Sequence, residues 1–277
     1  MPVAWSMLSY PEPTELAAAR TLAHRAVQWP ARVARANLAP TPDDSHASLA
    51  WDPDMAALLT QPLDGGVRVG LHVAVLELVF AKGSRSEVFA LTGKPETDAA
   101  EWLDARLAGE GLKPASGTKL PYDMPPTLYA RAAGEAPSLA TLSVWFAAAA
   151  ELLEELRQKL QRFKPGPSPV RCWPHHFDMA ILVRLEEGPP ESARAIGIGI
   201  SPGDEYYAQP YFYLSPYPKP DTNELPQLPP GGRWHTRGFF GAVATATDIL
   251  ALPEPRAGLM KIVDAGFEES LRRLGAG

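Results

Sequence analysis

Between Val67 and Phe80 the chain reads VRVGLHVAVLELVF, in which Val67, Val69, Leu71, Val73 and Val75 occupy every second position. Successive side chains of a strand point to opposite faces, so this spacing predicts a β-strand with one apolar face. The alternation fails at Glu77, where a bulge or the end of the strand is expected. A second strand near Glu87–Thr92 follows the Gly83-Ser84 pair, and the two are expected to form a hairpin.

Upstream of this hairpin, Thr14 is placed to cap a helix running from Glu15 towards Leu38, with a kink or restart at Pro30. Ser45–Trp51 and Met55–Leu59 read as short strands. Downstream, a helix is expected from Pro95 to Leu107, ended by Gly109 and Gly111. Ser138 then caps the strongest helix of the chain. Leu139, Leu142, Phe146, Ala149, Leu153, Leu156, Leu160 and Phe163 recur at three- and four-residue spacing, and Glu151, Glu154, Glu155, Arg157 and Lys159 fall off that stripe. The stripe would serve as a homodimer seam, but it stops after about three and a half heptads, which favours a helix laid on a sheet. The run Lys164-Pro165-Gly166-Pro167-Ser168-Pro169 ends it, and 164–170 is the candidate internal boundary in what otherwise reads as one unit over 1–277.

The second half is strand-rich. Phe177–Leu185, Ala195–Ile200, Tyr211–Leu214 and Gly241–Ala246 are the strand candidates. Ile196, Ile198 and Ile200 share a face, while Gly197 and Gly199 leave the other bare, which points to a backbone or ligand approaching closely. Ser201-Pro202-Gly203-Asp204 fits a type II turn, and Met260, Val263, Phe267, Leu271 and Leu274 mark a closing amphipathic helix. Two blocks of strands with helices set apart predict an α+β fold. Its sheets would be mainly antiparallel, with a long amphipathic helix in mid-chain and helices at both termini.

Composition narrows the function classes. The chain has 277 residues and a net charge of −6, and its basic residues are scattered, which argues against a nucleic-acid partner. No signal peptide is apparent at the N-terminus, and the apolar run Leu139–Ala150 falls short of the about 20 residues that cross a bilayer, so no membrane partner is expected. A lone cysteine, Cys172, excludes an internal disulfide and fits a reducing compartment. The expectation is a soluble, cytoplasmic protein.

Candidate chemistry gathers in three places: Arg-Cys-Trp-Pro-His-His-Phe-Asp at 171–178, the tyrosine-rich segment Ser201–Tyr217, and Trp234-His235-Thr236. If 175–178 enters a strand, His176 and Asp178 share a face, roughly 6.5 Å apart, with His175 and Phe177 on the other. His176, Asp178 and His235 are the candidate catalytic residues: an imidazole would act as acid/base with Asp178 orienting it. The same three are the candidate ligands of a divalent metal, zinc, iron or manganese, with a position open for water. No His-x-x-x-His or His-Glu-x-x-His spacing accompanies them, and a buried hydrogen-bonded network is the competing reading. His175, Asp204, Tyr211, Tyr213 and Trp234 are the candidate ligand-binding residues, rings offering an apolar face with a polar edge. Cys172 makes a poor nucleophile, because nothing local lowers its thiol pKa. His24, His46 and His72 stand isolated and read as surface or core histidines.

The Trp173-Pro174-His175-His176-Phe177-Asp178 motif resembles an uncharacterised bacterial family catalogued as a domain of unknown function. Pro202-Gly203-Asp204, Pro210-Tyr211-Phe212-Tyr213, Trp234-His235-Thr236 and Gly238-Phe239-Phe240-Gly241-Ala242 extend the likeness in the same order, over about Leu139–Leu252. The resemblance implies one family-wide unit and brings no catalytic assignment. From the residues themselves, the expected function is small-molecule binding, with hydrolase activity, at a His/Asp/Tyr-lined cleft. The alternative is a non-enzymatic protein-interaction module with a structural His/Asp network.

Overall fold

The computed structural model describes residues 5–9, 13–124, 136–189 and 192–276. In chain order its elements begin with α1 (Pro13–Ala26), α2 (Gln28–Asn37), β1 (Leu49–Asp52), β2 (Ala57–Thr60), β3 (Val67–His72), β4 (Glu77–Lys82), β5 (Arg85–Ala90) and α3 (Glu96–Gly109). They continue with α4 (Ala136–Lys159), β6 (Gly166–Pro167), β7 (Arg171–Trp173), β8 (Asp178–Arg184), β9 (Ala195–Ser201) and β10 (Tyr211–Tyr217). The last are β11 (Arg233–His235), β12 (Gly241–Thr245), α5 (Ala246–Leu250) and α6 (Pro255–Arg273). The fold is α+β, with antiparallel strand pairing, a long mid-chain helix and helices near both ends.

The chain forms two units. One holds the described residues of 11–147 together with 171–178; the other holds 5–9, 148–170 and the described residues from 179 onward. The chain therefore passes from one to the other within α4, after Val170 and after Asp178.

In the first unit the strand order is β7-β1-β2-β3-β4-β5, and α2 packs on β2 and β3. The Val67–Phe80 stretch is two strands rather than one. Residues 73–76 turn the chain, and His72 pairs with Glu77 across the hairpin. Val67, Val69, Leu71 and Val73 are buried as the alternation requires, but Val75 lies in the turn and is 54 % exposed. Leu76 closes the turn with φ 53°, a conformation uncommon outside glycine, while its side chain is fully buried. Burial of that side chain, worth about 1.5–3 kcal/mol, offsets the backbone cost, so no glycine or proline announces the turn. Two other four-residue turns have the same form: 53–56, ending in Ala56 (φ 50°), and 174–177, ending in Phe177 (φ 59°).

Other expectations shift by a turn or less. The helix break falls at Val27 rather than Pro30, and Thr14 lies inside α1. Proline is tolerated in a first helical turn, where N–H groups have no intrahelical partner, so α2 starts just ahead of Pro30. Residues 45–47 form a 3-10 turn, leaving Leu49–Asp52 as the strand. Ser138 lies in the first turn of α4 and is buried.

The second unit orders its strands β8-β9-β10-β12-β11, with β6 paired to β8 and α6 laid on β10 and β12. Lys159 pairs with Asp264 at 2.7 Å and Phe163 meets the Phe267 ring edge-on at 5.4 Å, tying the end of α4 to α6. The bare face of β9 is explained at Gly199. A methyl there would lie 2.6 Å from the Met179 carbonyl oxygen, 2.7 Å from the Tyr213 hydroxyl and 2.8 Å from Ala180 Cβ. At Gly197 the nearest atom, the Ser215 carbonyl oxygen, is 3.8 Å away. Close approach is thus a property of one glycine, not both. Among the described residues one helix, α4, is long and apolar enough to cross a membrane, and 56 % of its apolar window is buried, as in a core helix.

Candidate functional site

Phe177 explains the shape of the Trp-Pro-His-His-Phe-Asp motif. Residues 174–177 are a turn between β7 and β8, not the start of a strand, and the Trp173 carbonyl accepts from the N–H groups of both His176 (3.2 Å) and Phe177 (2.7 Å). Period-two geometry does not apply. His175 and His176 lie side by side, ring centroids 4.2 Å apart, instead of on opposite faces. The Phe177 ring points inward, stacked on His24 (5.4 Å, 6° between planes) and tilted against Phe146 at 5.1 Å.

The turn is held by the helix face beside it. The Pro174 carbonyl accepts from His24 Nε2 at 2.9 Å and from Gln28 Nε2 at 2.7 Å. A carbonyl only accepts, so the Nε2 of His24 carries its proton. Gln28 is buried and fully used: its Nε2 also donates to the His24 carbonyl (2.9 Å), and its Oε1 accepts from the Tyr122 hydroxyl (2.7 Å). Burial lowers the pKa of His24, and burial pushes the Tyr122 hydroxyl upward. His24 is therefore no isolated histidine but a support of the motif. His46, by contrast, is a core histidine, 7 % exposed, whose Nδ1 accepts from the Thr41 N–H at 3.2 Å.

His175 occupies the inner side of this pair. Its ring meets Trp173 and Tyr122, each at 6.0 Å, and His176. Among the described residues its ring nitrogens have no hydrogen-bond partner. Burial, with a smaller push from His176, lowers its pKa to about 4, so the imidazole is neutral at pH 7. His176 is exposed. Asp178, partly buried, opens β8, and Cys172 is fully buried. Burial first and the Asp178 charge second push the Cys172 thiol well above its usual range, which leaves it inert.

Tyr122 connects the motif to a groove of about 480 Å³, within the size range of ligand sites. Arg25, Arg32, Lys119, Tyr122 and Asp123 supply its charged and hydroxyl walls. Arg25 forms a bidentate pair with Glu96 (2.8 and 3.1 Å), and Arg32 lies over the Trp29 ring at 5.1 Å. Arg35 pairs with Asp44 and sits 5.9 Å from the Tyr122 ring centroid. None of these residues was a sequence candidate. The available signal was the four- and three-residue spacing of Gln28, Arg32 and Arg35, which puts one amide and two guanidiniums on one face of α2, with Arg25 at the end of α1.

The remaining candidates belong to the second unit and form a network of their own. The Asp204 Oδ1 accepts from the N–H groups of Tyr206 (2.8 Å) and Tyr207 (3.2 Å), and its Oδ2 accepts from the hydroxyls of Ser201 (3.2 Å) and Tyr211. Gly203 has the positive φ expected of a type II turn (111°), yet the Asp204 N–H donates forward to the Tyr207 carbonyl at 2.8 Å. The side chain of Asp204 therefore organises this loop. His235 Nε2 donates to the Arg237 carbonyl, and Nδ1 hydrogen-bonds with the Tyr207 hydroxyl at 2.9 Å. Phe239 stacks on the His235 ring at 4.0 Å, and Trp234 stacks on Phe240 at 5.4 Å while donating to the Pro226 carbonyl at 2.7 Å. Tyr213 borders Tyr211, ring centroids 6.3 Å apart. Both ring nitrogens of His235 are held in hydrogen bonds, so a metal could bind there only by displacing Tyr207 or the Arg237 carbonyl. This cluster includes His235 but neither His176 nor Asp178.

Of the sequence candidates, His175, His176 and Asp178 lie in the first unit, and Asp204, Tyr211, Tyr213, Trp234 and His235 lie in the second. Among the described residues no group of three or more His, Cys, Asp or Glu side chains is arranged to hold a metal ion. Comparison with family models, with curated proteins and with solved structures gives no match.

Proposed function

We propose that the protein binds a small molecule at the groove beside Tyr122, with His175, whose ring borders that of Tyr122, as the hydrogen-bonding group that a ligand reaches past it. The observation that carries this is His175 itself. A half-buried imidazole, kept neutral by burial and making no hydrogen bond through its ring nitrogens among the described residues, keeps one donor and one acceptor for a bound partner. Neutral imidazole both donates and accepts, so it suits a ligand hydroxyl, amide or acid group.

Hydrolysis has weaker support. A base with a pKa of about 4 removes protons poorly at neutral pH, and Cys172 is too buried to attack a substrate. Binding is tested by a thermal-shift screen of small molecules on wild type and His175→Ala. Compounds should raise the melting temperature of wild type and lose most of that effect in the variant. Hits that stabilise both proteins equally would place the ligand elsewhere and refute the assignment.

A further inference from the structure

We infer that β5 pairs with β5 of a second copy of the chain, antiparallel about a two-fold axis at Val88. β5 closes the strand order of the first unit, with β4 on one side and no strand on the other among the described residues. The Leu91 N–H donates to the Leu76 carbonyl at 3.0 Å, one step beyond the β4–β5 register. Hydrogen-bonded and non-hydrogen-bonded residue pairs alternate along an antiparallel ladder. Arg85, Glu87 and Phe89 therefore aim their backbone groups at β4, and Ser86, Val88 and Ala90 aim theirs outward. The outward three are exposed, and their backbone groups have no hydrogen-bond partner among the described residues. Edge strands are commonly guarded by charges, proline or a bulge. Here the outward positions hold serine, valine and alanine, and Val88 is 49 % exposed.

A second copy is the occupant that this edge fits, because an odd run of outward residues maps onto itself about its middle. With the axis at Val88, that residue meets its own copy and Ser86 meets Ala90, and each such pair exchanges two hydrogen bonds. Charge is complementary across the same axis. Glu87 stands opposite Phe89 of the second copy, whose ring lies 5.4 Å from Trp102, itself 4.1 Å beneath the Arg106 guanidinium. The two Glu87 carboxylates come diagonal to each other, each already paired with Arg85 and Arg106 of its own chain. An axis at Ser86 would set Arg85 against Glu87, groups that already pair within one chain, and would draw the turn residue Ser84 into the ladder. The α4 stripe offers no rival seam, since Leu139, Leu142, Phe146, Ala149, Leu153 and Leu156 are buried within the chain.

Sedimentation velocity of the whole protein between about 1 and 200 µM tests the pairing, a single-strand seam being small enough that the dimer is expected near about 100 µM. The mass should rise from 29.9 kDa towards twice that value. Val88→Lys should weaken association by about tenfold or more, whereas Val75→Lys, at a turn residue 54 % exposed, should leave it unchanged. Both substitutions fall on exposed side chains, so folding is retained. Under oxidation the Val88→Cys variant should cross-link to its own copy, because facing Cα atoms of a hydrogen-bonded pair lie about 5.5 Å apart, within disulfide reach. Ser86→Cys should not, its two copies lying more than about 13 Å apart. Cys172 is buried and takes no part. A monomer throughout the range, a dimer that survives Val88→Lys, or cross-linking of Ser86→Cys as fast as of Val88→Cys would each overturn the inference.

Discussion

Gln28 is the residue on which the motif's position depends most, and Gln28→Leu isolates that dependence. The side chain is 1 % exposed and makes three hydrogen bonds, to the carbonyls of His24 and Pro174 and from the Tyr122 hydroxyl. At about 1 kcal/mol each these sum to about 3 kcal/mol, and the Pro174 carbonyl keeps His24 as a donor while the half-buried Tyr122 hydroxyl can turn to water. A leucine of similar volume recovers part of that by apolar burial, leaving an expected loss of about 2 kcal/mol. Gln28→Glu should cost more at pH 7, because it sets a carboxylate oxygen against the Pro174 carbonyl in place of a donor. Urea unfolding followed by tryptophan fluorescence measures both. A double-mutant cycle with Tyr122→Phe should return a coupling near 1 kcal/mol. If Gln28→Leu falls within about 0.5 kcal/mol of wild type, or if the cycle shows no coupling, the amide is not the tie described here.

The pH dependence follows from His175 and His24, whose pKa values are both lowered in the folded protein. A histidine protonated more readily when unfolded contributes stability that is present above pH 6.5 and lost as the pH falls towards about 4. After discounting for solvent screening, His175 alone should account for about 1–2 kcal/mol of loss between pH 7 and 4.5, absent in His175→Gln; an equal loss in the variant would contradict the assignment. On β9, Gly199→Ala forces a methyl against the Met179 carbonyl, the Tyr213 hydroxyl and Ala180, and should cost about 1–3 kcal/mol, whereas Gly197→Ala should be close to neutral. Equal unfolding midpoints for the two variants would dispose of that distinction.

Much of the fold could be read from periodicity, and the failures have physical causes. The α4 stripe and the β9 isoleucines are local repeats that report which face is buried, and the α6 spacing marks a real helix, whose buried side runs through Leu259, Ile262, Val263 and Phe267. Val67–Phe80 misled because the turn at 73–76 is apolar and is fixed by burying Leu76, so an alternation count runs straight through it. Pro30 misled because proline sits comfortably inside a first helical turn. Site residues were harder. Gathering His176, Asp178 and His235 assumed that rare residue types converge, and nothing in the sequence shows the hydrogen bonds of His235 with Tyr207 and Arg237. His175 was a ligand-binding candidate from the sequence, but its burial is a product of tertiary structure, and Gln28 and Tyr122, residues 94 positions apart, have no sequence signature of their partnership.

The recurrence of one turn form has a practical consequence. Pro53–Ala56, Val73–Leu76 and Pro174–Phe177 have equal length and end in the same left-handed residue position, so the chain carries two native templates for its own histidine-bearing loop. Transplanting the Asp54-Met55 pair into the His175-His176 positions, with Pro174 and Phe177 retained, would erase both imidazoles along a path the backbone already follows elsewhere. Shape and chemistry, usually inseparable at a hairpin tip, become independent variables in this protein.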